Sequence, residues 1–141
     1  MTLVPITRLQ DLGDSDERSS SIFFVSPAEL QMKPDILEYL DRHEVQYELQ
    51  PDLNKVVSEV DVIYQTRIRP DCGADIAVRK KYAIDSSVLQ RMKPDAMTLH
   101  PLPRTVELDK TIDSDPRAMY FRQATNGLFV RMALLTMLLE K

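Results

Sequence analysis

The sequence predicts an α/β fold: a parallel sheet of about four strands with helices on both faces. Short apolar runs alternate along the chain with polar segments of helical periodicity, and this alternation is typical of strands joined by crossover helices. The chain has 141 residues, 43% of them hydrophobic, which is enough for one core. We therefore expect one domain built on a single sheet.

Four apolar runs are the predicted strands. They span residues 22–25, 45–49, 61–64 and 96–99. Each run is short, and polar or proline-containing segments follow the first, third and fourth, as is common where buried strands end.

The intervening segments are predicted to be helical. They span residues 34–43, 53–60, 86–92 and 117–139. Asp85 is expected to cap the third of these helices. Asp115 and Pro116 are expected to open the last one, and the Asn126-Gly127 pair marks an expected break or kink in it.

The charge balance argues against nucleic acid as a partner. The chain carries 22 acidic and 18 basic residues, a net charge of −4, whereas phosphate binding requires a clustered positive field. The basic run 79–81 is interpreted as solvated surface. The longest apolar run, 128–139, is interrupted by Arg131 and is shorter than the ~20 residues that a membrane span needs. Because residues 1–13 show no convincing signal peptide, we expect a cytoplasmic protein, with an organelle as the alternative.

Metal and disulfide chemistry are not expected either. Cys72 is the only cysteine, so it is most simply a free thiol in a reducing compartment. The two histidines, His43 and His100, are too few for a histidine metal centre. We assign no metal ion and no cofactor.

Residues 97–105, Met-Thr-Leu-His-Pro-Leu-Pro-Arg-Thr, form the most informative stretch of the sequence. Proline fixes φ at about −65° and lacks an N–H, so such a loop presents backbone carbonyls to a ligand. We expect the carbonyls of Pro101 and Leu102 to face one ligand, and the Leu102–Pro103 peptide to be cis. On spacing alone, a stiff turn between a strand and a helix is the alternative.

Arg67 follows the strand predicted at 61–64 much as the proline-containing segment follows 96–99. Ligands bind beyond the carboxyl ends of parallel strands, so the two segments are expected to lie near each other. A guanidinium pairs bidentately with a carboxylate, which suits a dicarboxylic amino acid; a surface ion pair with Asp71 is the alternative. His100 has no carboxylate neighbour in sequence, which favours a structural hydrogen-bonding role over that of a general base.

Three segments resemble the aspartate carbamoyltransferases in order and spacing. They are 100–104 (His-Pro-Leu-Pro-Arg), 61–68 (Asp-Val-Ile-Tyr-Gln-Thr-Arg-Ile) and 113–135, which begins Asp-Ser-Asp-Pro-Arg-Ala-Met-Tyr-Phe-Arg-Gln-Ala. The resemblance covers about residues 22–139. The related ornithine carbamoyltransferases usually carry a cysteine in place of the first proline of the loop, so aspartate is the better substrate hypothesis.

The resemblance implies the Rossmann-like half of a carbamoyltransferase. Residues 1–21 would be a divergent or disordered lead and 22–141 the aspartate-binding domain, with the N-terminal carbamoyl phosphate domain absent. The implied reaction transfers a carbamoyl group from carbamoyl phosphate to L-aspartate in pyrimidine biosynthesis, without a cofactor. Because the groups that act on carbamoyl phosphate belong to the missing domain, the isolated chain is expected to be inactive, and a companion chain or a homo-oligomer is the expected partner. A non-catalytic, diverged or truncated relative that acts as a binding or interaction module is the alternative.

The resemblance also implies which residues form the site. Arg67 occupies the position that holds the aspartate carboxylate, and Leu102 and Pro103 occupy positions whose backbone meets the carbamoyl group. Further possible site residues are Pro101, His100 and Arg104. No catalytic residue is assigned.

The chain also departs from the family pattern. Arg69 stands where relatives have glutamine, Cys72 where they have arginine, and Val106 where an aspartate is usual. An acidic, serine-rich stretch at 13–21 replaces an upstream run that contains a binding arginine. Residues 128–139 are apolar almost all round a helix, which predicts an exposed apolar patch and a marginal or self-associating chain.

Overall fold

The computed structural model describes residues 4–10, 19–67 and 75–139. The strands are β1 (Val4–Gln10), β2 (Ser19–Val25), β3 (Gln46–Gln50), β4 (Val62–Tyr64) and β5 (Met97–Leu99). The helices are α1 (Pro34–Arg42), α2 (Ile76–Lys81), α3 (Ser86–Leu89) and α4 (Tyr120–Leu139). Short 3₁₀ turns lie between them, at Ala28–Leu30, Leu53–Lys55 and Lys110–Ile112.

The strands form one sheet in the order β3-β2-β1-β4-β5. β2 pairs parallel with β3, and β4 pairs parallel with β5, while β1 is antiparallel to both β2 and β4. The four predicted strands therefore all run in one direction, and both their existence and the α/β class are confirmed. β1 is an addition that joins the two parallel pairs.

β1 and the first residues of β2 lie within residues 1–21, which the resemblance implied to be a divergent or disordered lead. The acidic, serine-rich composition of 13–21 suggested a loop, but Val4, Ile6 and Thr7 are β-branched and suit a strand. Pairing on both sides gives β1 a central place in the sheet. Most of the serine-rich stretch, residues 11–18, lies outside the described residues.

The core packs Ile63 of β4 with Val25 of β2 and with side chains from residues 53–60 and 82–120. Its members are largely aliphatic: Val25, Leu53, Val56, Val57, Val60, Ile63, Tyr82, Ile84, Val88, Leu89, Met92, Ala96, Leu108, Ile112 and Tyr120. α1 contributes no buried residue to this cluster. The core thus lies on the side of the sheet that carries the connections around β4 and β5.

Two predicted helices are shorter than the sequence suggested. Residues 53–60 form a single 3₁₀ turn, Leu53–Lys55, followed by further turns. The valines at 56, 57 and 60 are nevertheless buried, so their spacing correctly indicated burial but not a helix. Valine is β-branched, and β-branched residues are poor helix formers. α3 ends at Leu89, but the predicted cap is confirmed, because the Asp85 carboxylate accepts hydrogen bonds from the N–H groups of Ser87 and Val88 at 2.9 and 3.0 Å.

α2 was not predicted, and α4 differs from its prediction at its first residue and at the expected break. α4 begins at Tyr120 and not at 117, because Asp115 and Arg117 pair with each other in the preceding turn at 2.9 Å. The helix runs without interruption through Asn126 and Gly127, so the expected break does not occur there.

α4 leaves the body of the domain after its first turns. Tyr120 is buried, whereas the large apolar side chains from Leu128 to Leu139 are between 53% and 80% exposed. The predicted exposed apolar patch is therefore confirmed. No helix within the described residues is long and apolar enough to cross a membrane.

Candidate substrate-binding site at the proline loop

The proline loop, which we define as residues 100–105, begins where β5 ends. Tyr64 and Leu99, the last residues of β4 and β5, are register partners, and the Gln65 N–H donates to the Leu99 carbonyl at 2.9 Å. The two chain segments that leave these strands therefore start side by side. Arg67 lies three residues beyond Tyr64 and is exposed. Residues 68–74, which include Arg69 and Cys72, lie outside the described residues.

The proline loop is anchored by its leucine. The side chain of Leu102 is half-buried and packs against the core, while Pro101 and Pro103 on either side are exposed. The Leu102–Pro103 peptide is cis, as predicted. The prolines thus remain accessible at the carboxyl edge of the sheet, where the sequence placed the site.

A buried carboxylate, that of Glu107, ties the two ends of the proline loop together. It accepts a hydrogen bond from the Thr105 N–H at 2.8 Å and another from the Thr105 hydroxyl. It also lies 3.1 Å from Nε2 of His100 at the other end. Glu107 and His100 are 0% and 2% exposed. We call these three residues the loop staple.

The loop staple corrects one sequence argument and supports another. His100 does have a carboxylate neighbour, which the fold brings from seven positions along the chain. The resulting pair does not make His100 a general base, because the ring is buried and a base must reach the proton that it removes. The structural hydrogen-bonding role expected for His100 fits this geometry.

Burial and hydrogen bonding set the charges of the loop staple. Burial lowers the pKa of His100, and the neighbouring Glu107 only partly opposes this effect. Burial would raise the pKa of Glu107, but the hydrogen bonds from Thr105 and His100 outweigh it, and the pKa of that carboxyl is lowered. Neutral His100 therefore donates from Nε2 to an ionised Glu107. Within the described residues, Nδ1 of His100 is buried and has no hydrogen-bond partner.

Two further side chains brace the proline loop from outside. Nη2 of Arg79, on α2, donates to the Thr105 hydroxyl at 3.0 Å, and Oε1 of Gln123, on α4, accepts from the His100 N–H at 2.9 Å. Arg79 is only 8% exposed, so its assignment to solvated surface is wrong. Arg79 is the one residue of the basic run 79–81 that is buried, and nothing local in the sequence distinguishes it from Lys80 and Lys81.

Arg104 connects the proline loop to α4. Its guanidinium forms a bidentate pair with Asp113, with Nη2 2.7 Å from Oδ2, and lies over the rings of Tyr120 and Phe121 at 5.7 and 5.8 Å. The hydrogen bonds from Arg104 and then Tyr120 lower the pKa of Asp113 to about 2. Burial, followed by the effect of Asp113, raises the pKa of Tyr120 to about 12. The guanidinium of Arg104, a predicted possible site residue, is thus used to hold the loop on the helix.

These features define the class of the protein. It is an α/β domain in which side chains from neighbouring elements support a loop with a cis proline at the carboxyl edge of parallel strands. The model of the family "Aspartate/ornithine carbamoyltransferase, Asp/Orn binding domain" matches residues 17–138. The chain belongs to this family, and the resemblance found in the three sequence segments is confirmed.

Individual relatives agree with this assignment. The chain is 51% identical over 123 residues to the chloroplastic aspartate carbamoyltransferase of Oryza sativa, covering 84% of this chain and 34% of the relative. The corresponding protein of Arabidopsis thaliana is 50% identical, with 84% and 32% covered. A solved aspartate transcarbamoylase from Trypanosoma cruzi, in complex with carbamoyl aspartate and phosphate, is 37% identical with a TM-score of 0.73; 82% of this chain and 39% of that chain are covered. The chain spans about a third of the length of its plant relatives.

Proposed function

We propose that this chain supplies the aspartate-binding half of an aspartate carbamoyltransferase, which transfers a carbamoyl group from carbamoyl phosphate to L-aspartate in pyrimidine biosynthesis. The observation that carries the proposal is the proline loop, which leaves β5 beside the segment that leads to Arg67. The names of the relatives support the reaction, and one solved relative is described in complex with carbamoyl phosphate and aspartate.

In the proposed reaction the aspartate amino nitrogen attacks the carbamoyl carbon. A carbon–nitrogen bond forms, the bond from that carbon to the phosphate oxygen breaks, phosphate leaves with the electron pair, and the amino group releases a proton. Arg67 pairs with a carboxylate of aspartate, and the backbone carbonyls around Leu102 and Pro103 accept hydrogen bonds from N–H groups of the reactants. This chemistry rests on positioning and charge stabilisation and requires no cofactor.

The proposal requires a second domain, because the groups that bind carbamoyl phosphate are assigned to a domain other than this one. We propose a companion chain or a homo-oligomer as the partner, and the exposed apolar end of α4 supports the presence of such a partner. The isolated chain is then expected to form no carbamoyl aspartate. For the compartment, the cytoplasm remains our proposal, and the chloroplastic names of the plant relatives support an organelle as the alternative.

A second candidate function is that of a diverged or truncated, non-catalytic interaction module. The exposed end of α4 favours it, because an apolar helix surface of this kind needs a partner whether or not the site is active. The replacements at Arg69 and Cys72 point the same way. Retained affinity for L-aspartate distinguishes the two candidates.

Isothermal titration of the purified chain with L-aspartate tests the proposed function. We expect saturable binding that weakens about 10- to 100-fold in Arg67→Ala, since a hydrogen-bonded charge pair contributes about 1.5–3 kcal/mol. Arg42→Ala, which removes an exposed arginine from α1, is the matched control and should leave the affinity unchanged. L-Ornithine should not compete. Absence of aspartate binding, or equal loss in both variants, would reject the proposal.

A further inference from the structure

We propose that Glu107 is a positioning residue for aspartate binding: its buried carboxylate holds the proline loop in the shape that presents the carbonyls around Leu102. This inference deepens the proposed function and rests on it. Glu107 does not touch the ligand in this account. It acts through Thr105 and His100, the residues that flank the prolines.

The proline loop needs such a residue because its backbone has few means of holding itself. Pro101 and Pro103 lack N–H groups, so a hydrogen-bonded ladder cannot continue through them. Of the remaining donors, the His100 N–H is taken by Gln123 and the Thr105 N–H by Glu107. A side-chain carboxylate at one end and an amide at the other thus replace the missing backbone bonds.

The electrostatics argue that the carboxylate serves this loop and not general packing. Burying an ionised carboxylate is costly unless its oxygens are hydrogen-bonded. Within the described part of the chain, the side chains that hydrogen-bond to Glu107 both belong to the proline loop, namely those of Thr105 and His100. An apolar side chain of similar size would fill the space equally well but would leave both loop ends untied.

A basic side chain from α2 also holds the loop staple. Arg79, on α2, donates to the hydroxyl of Thr105. The Thr105 hydroxyl accepts this hydrogen bond from the Arg79 guanidinium and donates another to the Glu107 carboxylate, so it links the two charged groups. The carboxylate therefore stabilises the position of Thr105 from one side while α2 holds it from the other.

The test compares L-aspartate affinity in the full chain with Glu107→Gln, which keeps the shape but replaces an acceptor oxygen by an NH₂ group facing other donors. Titrations are run at a temperature where circular dichroism shows every variant folded. We expect affinity at least about tenfold weaker. Glu38→Gln, on the exposed face of α1, is the matched control and should bind like the wild type.

A milder pair of variants addresses the case in which Glu107→Gln fails to fold. Thr105→Val removes the hydroxyl while keeping the shape, and Thr105→Ser keeps the hydroxyl; binding should be weaker in the former than in the latter. The amide resonances of Leu102 and Arg104 in NMR spectra should shift in Glu107→Gln and Thr105→Val but not in Glu38→Gln. Folded Glu107→Gln with wild-type affinity and unshifted loop amides overturns the inference alone, whereas a wild-type chain that does not bind aspartate overturns the proposed function and this role with it.

Discussion

The exposed end of α4 makes a quantitative prediction about self-association. Leu128, Met132, Leu135 and Leu139 form one stripe along the helix and are 55%, 55%, 58% and 80% exposed. Fully burying such a side chain contributes about 1.5–3 kcal/mol, so covering the exposed parts of all four contributes about 4–7 kcal/mol per helix. Two copies together gain about twice this amount, against an association cost of about 4–15 kcal/mol.

With an association cost of about 4–6 kcal/mol, at the lower end of that range, the net free energy of dimerisation is about 4–8 kcal/mol, which corresponds to a Kd in about the millimolar to micromolar range. Leu135→Lys removes about 1–2 kcal/mol of apolar burial per helix from the dimer interface, so the Kd of the dimer should rise at least about tenfold. Sedimentation velocity over a concentration series measures this shift. Ala124→Lys adds the same charge to an exposed position of α4 before the stripe and is the control. A wild-type chain that stays monomeric throughout the series, or equal effects of both substitutions, would refute the reasoning.

Two further predictions concern the contact between Arg104 and α4. Tyr120→Phe removes the hydroxyl that donates to Asp113, and we expect the free energy of unfolding in urea to fall by about 1 kcal/mol; an unchanged value would contradict the hydrogen bond. The pKa of Asp113 is lowered from 3.8 to about 2, so its ion pair stabilises the folded chain above pH 3.8 and this stability is lost as the pH falls towards 2. Between pH 3.8 and about 2, the Tm of the wild type should fall more steeply than the Tm of Asp113→Asn. Parallel curves of Tm against pH would show that the ion pair between Arg104 and Asp113 does not cause the loss of stability.

The parts of the fold that the sequence predicted are those set by local patterns. Apolar runs marked the four parallel strands, and Asp85 marked the start of α3, because strand burial and helix capping are decided within a few residues. The prediction of a helix at 53–60 was wrong because it relied on a local pattern alone. The valines recur at helical spacing, but this spacing does not reveal whether buried residues lie on a helix or on successive turns.

The parts that were missed depend on contacts between distant positions. β1 gains its place by pairing with β2 and with β4, and no local feature shows that two partners are available. Arg79 meets Thr105 across 26 positions, so it was indistinguishable from its solvated neighbours. The role of Glu107 is indicated only by its burial and by its hydrogen bonds to both ends of the proline loop.

α4 connects the candidate site to the exposed apolar surface, because residues of this one helix take part in both. Its first turns carry Tyr120 and Gln123, which hold Arg104 and the N–H of His100, and its last turns are the surface that lacks cover. A helix gains most of its stability from packing along its face, so the turns that support the proline loop are better ordered when the far end is covered. Under the proposed function, a partner that covered the last turns of α4 would therefore also order the proline loop. This coupling gives a physical reason why a domain with an intact proline loop would bind aspartate weakly by itself.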